Sequence, residues 1–286
     1  MIEFLAILGL VWIIAAIVQD FKQREIANWI NFSLIAFALT FRLFYSIFSL
    51  DYSFFLLGLF GLAVFFVIGH LLYYSRVFAG GDAKLFISLG AVIPFASNYY
   101  FNTLVFFIFL ISLLAGGALY SLAFSFFLVF KNKKEFVKEF SNNFKSQFVI
   151  FISLVVFLSL IISYSLISKN FVYVLFPLFL VFSFFLYIYA KAVEKSCMLV
   201  NVNVHHLTVG DWLAKPIKVK GKEIEPHWEG LTQDQIDFIK KDYKKHVLIK
   251  QGIPFSPAFL IAFLVILYIQ FLGNADWGLW KFNFFF

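Results

Sequence analysis

Two aspartates, Asp20 and Asp82, are the side chains in this sequence whose surroundings suggest chemistry. Of the eight aspartates, Asp211, Asp234, Asp237 and Asp242 fall in a polar stretch and Asp276 in the final residues. Asp51 lies at the far end of an apolar run from Asp20, on the opposite side of a membrane. Two carboxyl groups about 3 Å apart cannot both ionise, so one keeps a proton. The ionised member takes a proton from water while the neutral one donates to a carbonyl, and the two titrate as a pair. Other hydrolytic devices are missing: there is no His-Glu-x-x-His run and no Gly-x-Ser. The single cysteine, Cys197, excludes an internal disulfide and a Cys-rich metal site.

The elements that must carry these residues are membrane helices. Of 286 residues, 62% are hydrophobic, 14% are charged and 44 are Phe, against about half apolar and a quarter charged in soluble domains. Such a chain is expected to be an all-α polytopic membrane protein, not a disordered chain, a nucleic-acid binder or a secreted scaffold. Taking about 20 apolar residues per crossing, we expect eight spans, at 3–19, 29–49, 53–74, 83–98, 102–130, 147–168, 171–190 and 256–272. The first has no basic n-region and no small-residue cleavage site, so we expect it to be permanent. Loops after odd-numbered spans hold 20 of the 23 basic residues. The positive-inside rule then puts those loops in the cytoplasm, both termini outside, and Asp20 and Asp82 at the cytoplasmic surface of the cell membrane.

The expected organisation is a helical bundle over 1–190, a small mixed α/β cytoplasmic domain over 191–255, and a last span with an outer tail over 256–286. Within the polar stretch, 197–207 alternates like a strand and 217–225 reads as a hairpin turning near Gly221. Thr232, with Gln235 three residues on, opens a helix expected to reach about His246. The amphipathic run 131–147 is expected to lie along the cytoplasmic surface with its lysines toward anionic lipid.

Each aspartate has its own local setting. Asp20 ends a helix, where the macrodipole disfavours an anion; Arg24 can offset this if the helix continues. Asp82 follows Gly80 and Gly81, which permit turn conformations closed to other residues, and Asp82 could also serve as a plain helix cap. The run Asp20-Phe-Lys-Gln-Arg-Glu-Ile-Ala-Asn28 resembles the first motif of type IV prepilin peptidases, an Asp followed by Ile-Pro-Asn. Ala79-Gly-Gly-Asp82-Ala-Lys84 resembles their second, G-x-G-D followed by a lysine. The resemblance is to the archaeal prearchaellin and prepilin peptidase branch, and 252–259 and the basic segment before the last helix also look like it. Ala79 stands where the family has Gly, and Ala27 where it has Pro; Asn28 can still cap the second span.

This resemblance implies a membrane aspartic endopeptidase that needs no cofactor or metal. It implies cleavage, on the cytoplasmic side, between a short basic leader and the hydrophobic helix of type IV pilin-like or archaellum-like precursors. Asp20 and Asp82 would be catalytic, with Gly80, Gly81, Lys84, Arg24 and Asn28 in support. The expected partners are those precursors and membrane lipid, with no nucleic acid. A proton-coupled transporter and a presenilin-like intramembrane protease are the alternatives. Lys84, Lys22 and Arg24 could bind backbone, act on the aspartates or simply fix topology. His70 reads as snorkelling or internally bonded. Arg42 reads as snorkelling outward or paired with Asp51. His205 and His206, adjacent on a strand, would face opposite ways. Glu223, Glu225, Glu229, Asp234 and Asp237 form an acidic counterpart to a basic leader. Ala115-Gly-Gly-Ala118 permits close helix packing.

Overall fold

The computed structural model describes residues 2–95, 98–243 and 245–271. The outer tail expected after residue 272 lies outside the described residues. Six helical stretches are long and apolar enough to cross a bilayer, so the chain is a polytopic membrane protein. Their first members are α1 (Ile2–Gln23), α2 (Asn28–Ser49) and α3 (Ser53–Tyr74), each of 22 residues. At 1.5 Å per residue these reach about 33 Å, enough for a hydrocarbon layer of about 30 Å. The expected fourth span over 83–98 does not form as a crossing helix. Its helix, α4 (Gly80–Leu89), has ten residues and ends in a turn at Gly90. Then follow α5 (Tyr99–Lys131), α6 (Lys133–Ser146), α7 (Phe148–Ser168) and α8 (Leu175–Cys197), the last preceded by a 3-10 turn. The chain closes with α9 (Gln233–Asp242) and α10 (Ser256–Phe271); α10 has 16 residues and is a shorter apolar helix.

The chain divides into two compact units. The first comprises residues up to Leu122 and those from Pro254 onward. Its core joins Leu5 and Ile13 of α1, Ile30 and Leu34 of α2, Phe65 of α3, Phe86 of α4, Phe109 of α5, and Phe259 and Phe263 of α10. Phe65 stacks on Phe86 with centroids 4.5 Å apart. A Cβ on Gly61 would strike the Gly90 carbonyl oxygen, so α3 and the end of α4 approach to backbone contact. That approach needs glycine on α3.

The α4 turn explains Arg42. This residue is fully buried and neither snorkels nor reaches Asp51, contrary to expectation. Its guanidinium donates to the carbonyls of Ala91 (2.8 Å), Phe54 (3.0 Å), Val92 (3.1 Å) and Pro94 (2.7 Å). It also sits over the Phe54 ring, 4.5 Å from its centroid. Where the helix stops in an apolar interior, freed carbonyls need donors. A planar fork with five N–H groups supplies them. Asp51 instead accepts from the Ser53 backbone N–H and hydroxyl, both at 2.8 Å.

The second unit, Ala123–Ile253, holds the end of α5, helices α6 to α9 and two small sheets. Strands β1 (Leu199–Val202), β2 (Trp212–Leu213) and β5 (Val247–Lys250) form one antiparallel sheet in the order β1-β5-β2. β3 (Ile217–Val219) and β4 (Lys222–Ile224) make the expected hairpin. Lys220 and Gly221 both have positive φ, 45° and 83°, as a primed two-residue turn requires. Thr232 and Gln235 form the capping box of α9. The helix stops at Asp242, short of the expected 246, because 247–250 are recruited as the central strand β5. The expected strand over 197–207 shortens to β1, with Cys197 in α8 and His205–His206 in a 3-10 turn capped by Asn203. Nor does the apolar stripe of α6 depend on lipid for cover. Phe136 lies 5.6 Å from Tyr189, and Phe144 lies 6.3 Å from Phe184 and from Phe185, all on α8. The lysines of α6 remain exposed.

Candidate active site

Asp20 sits in the last turn of α1 and is 7% exposed. The helix ends three residues later: Arg24 turns left-handed (φ 57°) and its N–H donates to the Asp20 carbonyl at 2.8 Å. Arg24 thus closes the last helical turn from Asp20 and leaves the helix there, so the helix does not continue beyond it. The loop that follows is tied back by Gln19, whose Oε1 accepts the Ala27 N–H at 3.0 Å. Ala27 is the extended residue before α2, with φ −64°, a value alanine adopts as readily as proline holds it. Asn28 is the first residue of α2 and not its cap.

Asp82 occupies the third position of α4. Ala79 precedes the helix with φ −70° and ψ 162°, ordinary extended backbone, so alanine is unstrained where the resembled motif has glycine. Gly80 and Gly81 are both helical, and neither has the positive φ that would need glycine. At Gly81 the requirement is space: a Cβ there would lie 3.3 Å from both the Cβ and the N of Ile26, tight for real contacts. At Gly80 the nearest atom would be a Tyr73 ring carbon at 3.8 Å. The nearby Ala79 N–H favours the charged form of the Asp82 carboxyl. Burial, and after it the charge of Asp20, push the Asp82 carboxyl up to about 7, partly opposed by that N–H.

Two further links join the motifs. Lys84 Nζ donates to Asn28 Oδ1 at 2.7 Å, across 56 positions of sequence. The other link comes from α10, whose first N–H, on Ser256, donates to Asp20 Oδ2 at 3.3 Å. The positive end of α10 thus faces the Asp20 carboxylate. Aromatic packing delivers it there: Phe78, just before Ala79, lies 5.6 Å from Phe255 and 6.0 Å from Phe259. On α5, Gly117 leaves room for the Phe255 ring, and a Cβ on Gly116 would reach 3.0 Å from Ile261. The 115–118 run is therefore the α5 surface on which α10 rests.

Sequence reasoning paired the two aspartates but missed Ser256, Gln19 and the Phe78–Phe255 contact. It also missed Tyr120 of α5, which lies within reach of the charges of Asp20 and Arg24. Ser256-Pro257 marks a helix start, but nothing local connects it to Asp20. His70 takes no part, its Nδ1 donating to the Phe66 carbonyl of its own helix at 2.8 Å. Among the described residues no three His, Cys, Asp or Glu side chains gather as metal ligands. In the second unit, Glu223, Glu225 and Asp234 line a cavity of about 490 Å³ with Lys222, His227 and Phe238. Glu229 instead lies 3.9 Å from His227, and Asp237 accepts from the Gln233 amide at 2.8 Å.

The fold thus brings the two carboxyl groups close enough for the charge of Asp20 to act on Asp82. Residues 7–130, which include both aspartate motifs, match the model of the type IV leader peptidase family. Over 94 residues the chain is 39% identical to a preflagellin peptidase of Methanococcus maripaludis, covering 33% of this chain and 40% of that relative. It is 34% identical over 94 residues to a preflagellin peptidase of Methanocaldococcus jannaschii, covering 33% of this chain and 39% of the relative. The matched stretch thus spans about two fifths of the length of these relatives. Over that stretch the resemblance to the archaeal branch stands.

Proposed function

We propose that the protein is a membrane aspartic endopeptidase that removes a short basic leader from type IV pilin-like or archaellin precursors at the cytoplasmic face of the cell membrane. The observation that carries this reading is that the fold brings the two aspartate motifs together, Lys84 of the second donating to Asn28 of the first at 2.7 Å, within the stretch that matches the leader peptidase family; burial and the charge of Asp20 push Asp82 up to about 7. The names of the two relatives support the substrate class. Residues 80–98 lead from Asp82 to Tyr99, which packs on Phe60 in the first half of α3, and with the chain so returned the basic residues that follow α1, α3, α5 and α8 support the orientation.

In this mechanism the ionised Asp20 takes a proton from water as its oxygen bonds to the scissile carbonyl carbon. Asp82, protonated, donates to the carbonyl oxygen, which leaves a neutral tetrahedral diol. Collapse breaks the C–N bond; the leaving amine takes the proton held by Asp20, and the carbonyl re-forms as Asp82 recovers its own.

The test is cleavage of a precursor bearing a basic leader and a hydrophobic helix, by the full chain in membranes. Asp20→Asn and Asp82→Asn should each slow cleavage by about 10²–10⁴-fold, while the protein still accumulates in the membrane. Activity should fall as pH rises through about 7, where Asp82 loses the proton it must donate. Full activity in either variant would overturn the assignment.

A further inference from the structure

We propose that α6 is a docking surface for anionic lipid, held to the phosphates of the membrane surface by the charge of its lysines and not by insertion of its apolar face. The proposal stands apart from the peptidase reading above.

The chain itself sets the depth of α6. A single residue, Asn132, separates it from α5, and a single residue, Gln147, separates it from α7. Both neighbours are long and apolar enough to cross a bilayer. The 21 residues of α7 reach about 32 Å, all of it needed for a hydrocarbon layer of about 30 Å. The end of α6 therefore sits at the headgroups.

The side chains of α6 are sorted by face. Phe136 and Phe144 pack on Tyr189, Phe184 and Phe185 of α8. An amphipathic helix ordinarily binds a membrane by sinking such residues among the acyl chains; here that mode is closed. Lys134, Lys138 and Lys145 fall within about 40° of one another around the helix axis, away from the Phe face, and all three are exposed. Glu135 and Glu139 lie on a separate flank. Among the described residues no ion pair joins either of them to these lysines.

This arrangement works against the helix taken alone. Lys134 and Lys138, one turn apart, repel each other. Lys133 and Lys134 open the helix, at the end where the macrodipole disfavours a cation. An anion from outside the chain relieves both, and the anion found at headgroup depth is lipid phosphate.

The experiment places a bimane label on Asn142→Cys, an exposed α6 position, in the full chain with its single cysteine removed (Cys197→Ser). The labelled protein is reconstituted in vesicles and quenched with brominated phosphatidylglycerol or brominated phosphatidylcholine. The anionic lipid should be enriched at the label by about five-fold or more. The enrichment should shrink to less than about two-fold in about 1 M NaCl, where the screening length is about 3 Å. Lys134→Gln, Lys138→Gln and Lys145→Gln together should abolish it, whereas arginine at the same three positions should keep it. An equal loss of charge elsewhere in the second unit (Lys215→Gln, Lys241→Gln, Lys245→Gln) should leave it unchanged. Three results would each overturn the proposal: equal quenching by the two lipids, which would turn the lysines toward a soluble anion; a preference that survives high salt; or a preference lost as fully in the second set of lysines.

Discussion

Lys84 and Asn28 are where the two aspartate motifs touch through side chains. The ammonium can hold α4 to the start of α2 or act on a carboxylate, and its 2.7 Å bond to Asn28 points to the first role. Lys84→Met and Asn28→Ala should therefore each lower the rate of leader cleavage by roughly ten-fold, about 1–2 kcal/mol. The double variant should be little worse than either alone. Additive losses in that cycle would mean that Lys84 works on something other than Asn28. Gly81 shows the same economy of contact. Its missing side chain admits Ile26, whereas the freedom of φ expected of a Gly-Gly pair goes unused.

At the level of elements, α4 was the least legible part of the sequence. Its apolar run reads as a crossing helix because a helix buried on all sides looks like one facing lipid. What distinguishes it is Gly90 and Pro94, which end it early, and Arg42 on another helix, which caps what they expose. The amphipathic α6 was expected from its lysines alone to lie along the surface; what its sequence did not reveal is that its Phe residues pack on α8. By contrast, the α9 capping box and the hairpin at Gly221 were legible because both are written within a few residues. Asp20 and Asp82 stand out as candidates because each sits in a local motif. Ser256 does not, because 236 positions separate it from Asp20 and only packing joins them. Arg42→Met should destabilise the bundle by about 1–3 kcal/mol for each carbonyl left without a donor. Arg42→Lys should rescue only part of it, since an ammonium lacks the planar fork. Thermal midpoints in detergent check this, and an unchanged midpoint in Arg42→Met would refute it.

At the scale of the whole chain, the second unit carries an acidic cavity of its own. The five acidic residues singled out from sequence are not equivalent. Glu223, Glu225 and Asp234 line the cavity, while Glu229 and Asp237 are engaged with His227 and Gln233. Neutralising the three (Glu223→Gln, Glu225→Gln, Asp234→Asn) should raise KM for a basic leader by several-fold and leave a neutral leader unchanged. Exposed charges contribute at most about 1 kcal/mol each. Glu229→Gln with Asp237→Asn should do less, and equal effects on both leaders would remove the cavity from substrate recognition.

The bond from Ser256 to Asp20 also has a consequence in time. A ribosome delivers Asp20 and Asp82 to the membrane well before it delivers α10. Until that late helix inserts, the nascent chain holds both acids without the backbone N–H that Asp20 accepts from Ser256. On the peptidase reading proposed above, cleavage would then have to wait for the docking of a helix made some 170 residues after Asp82.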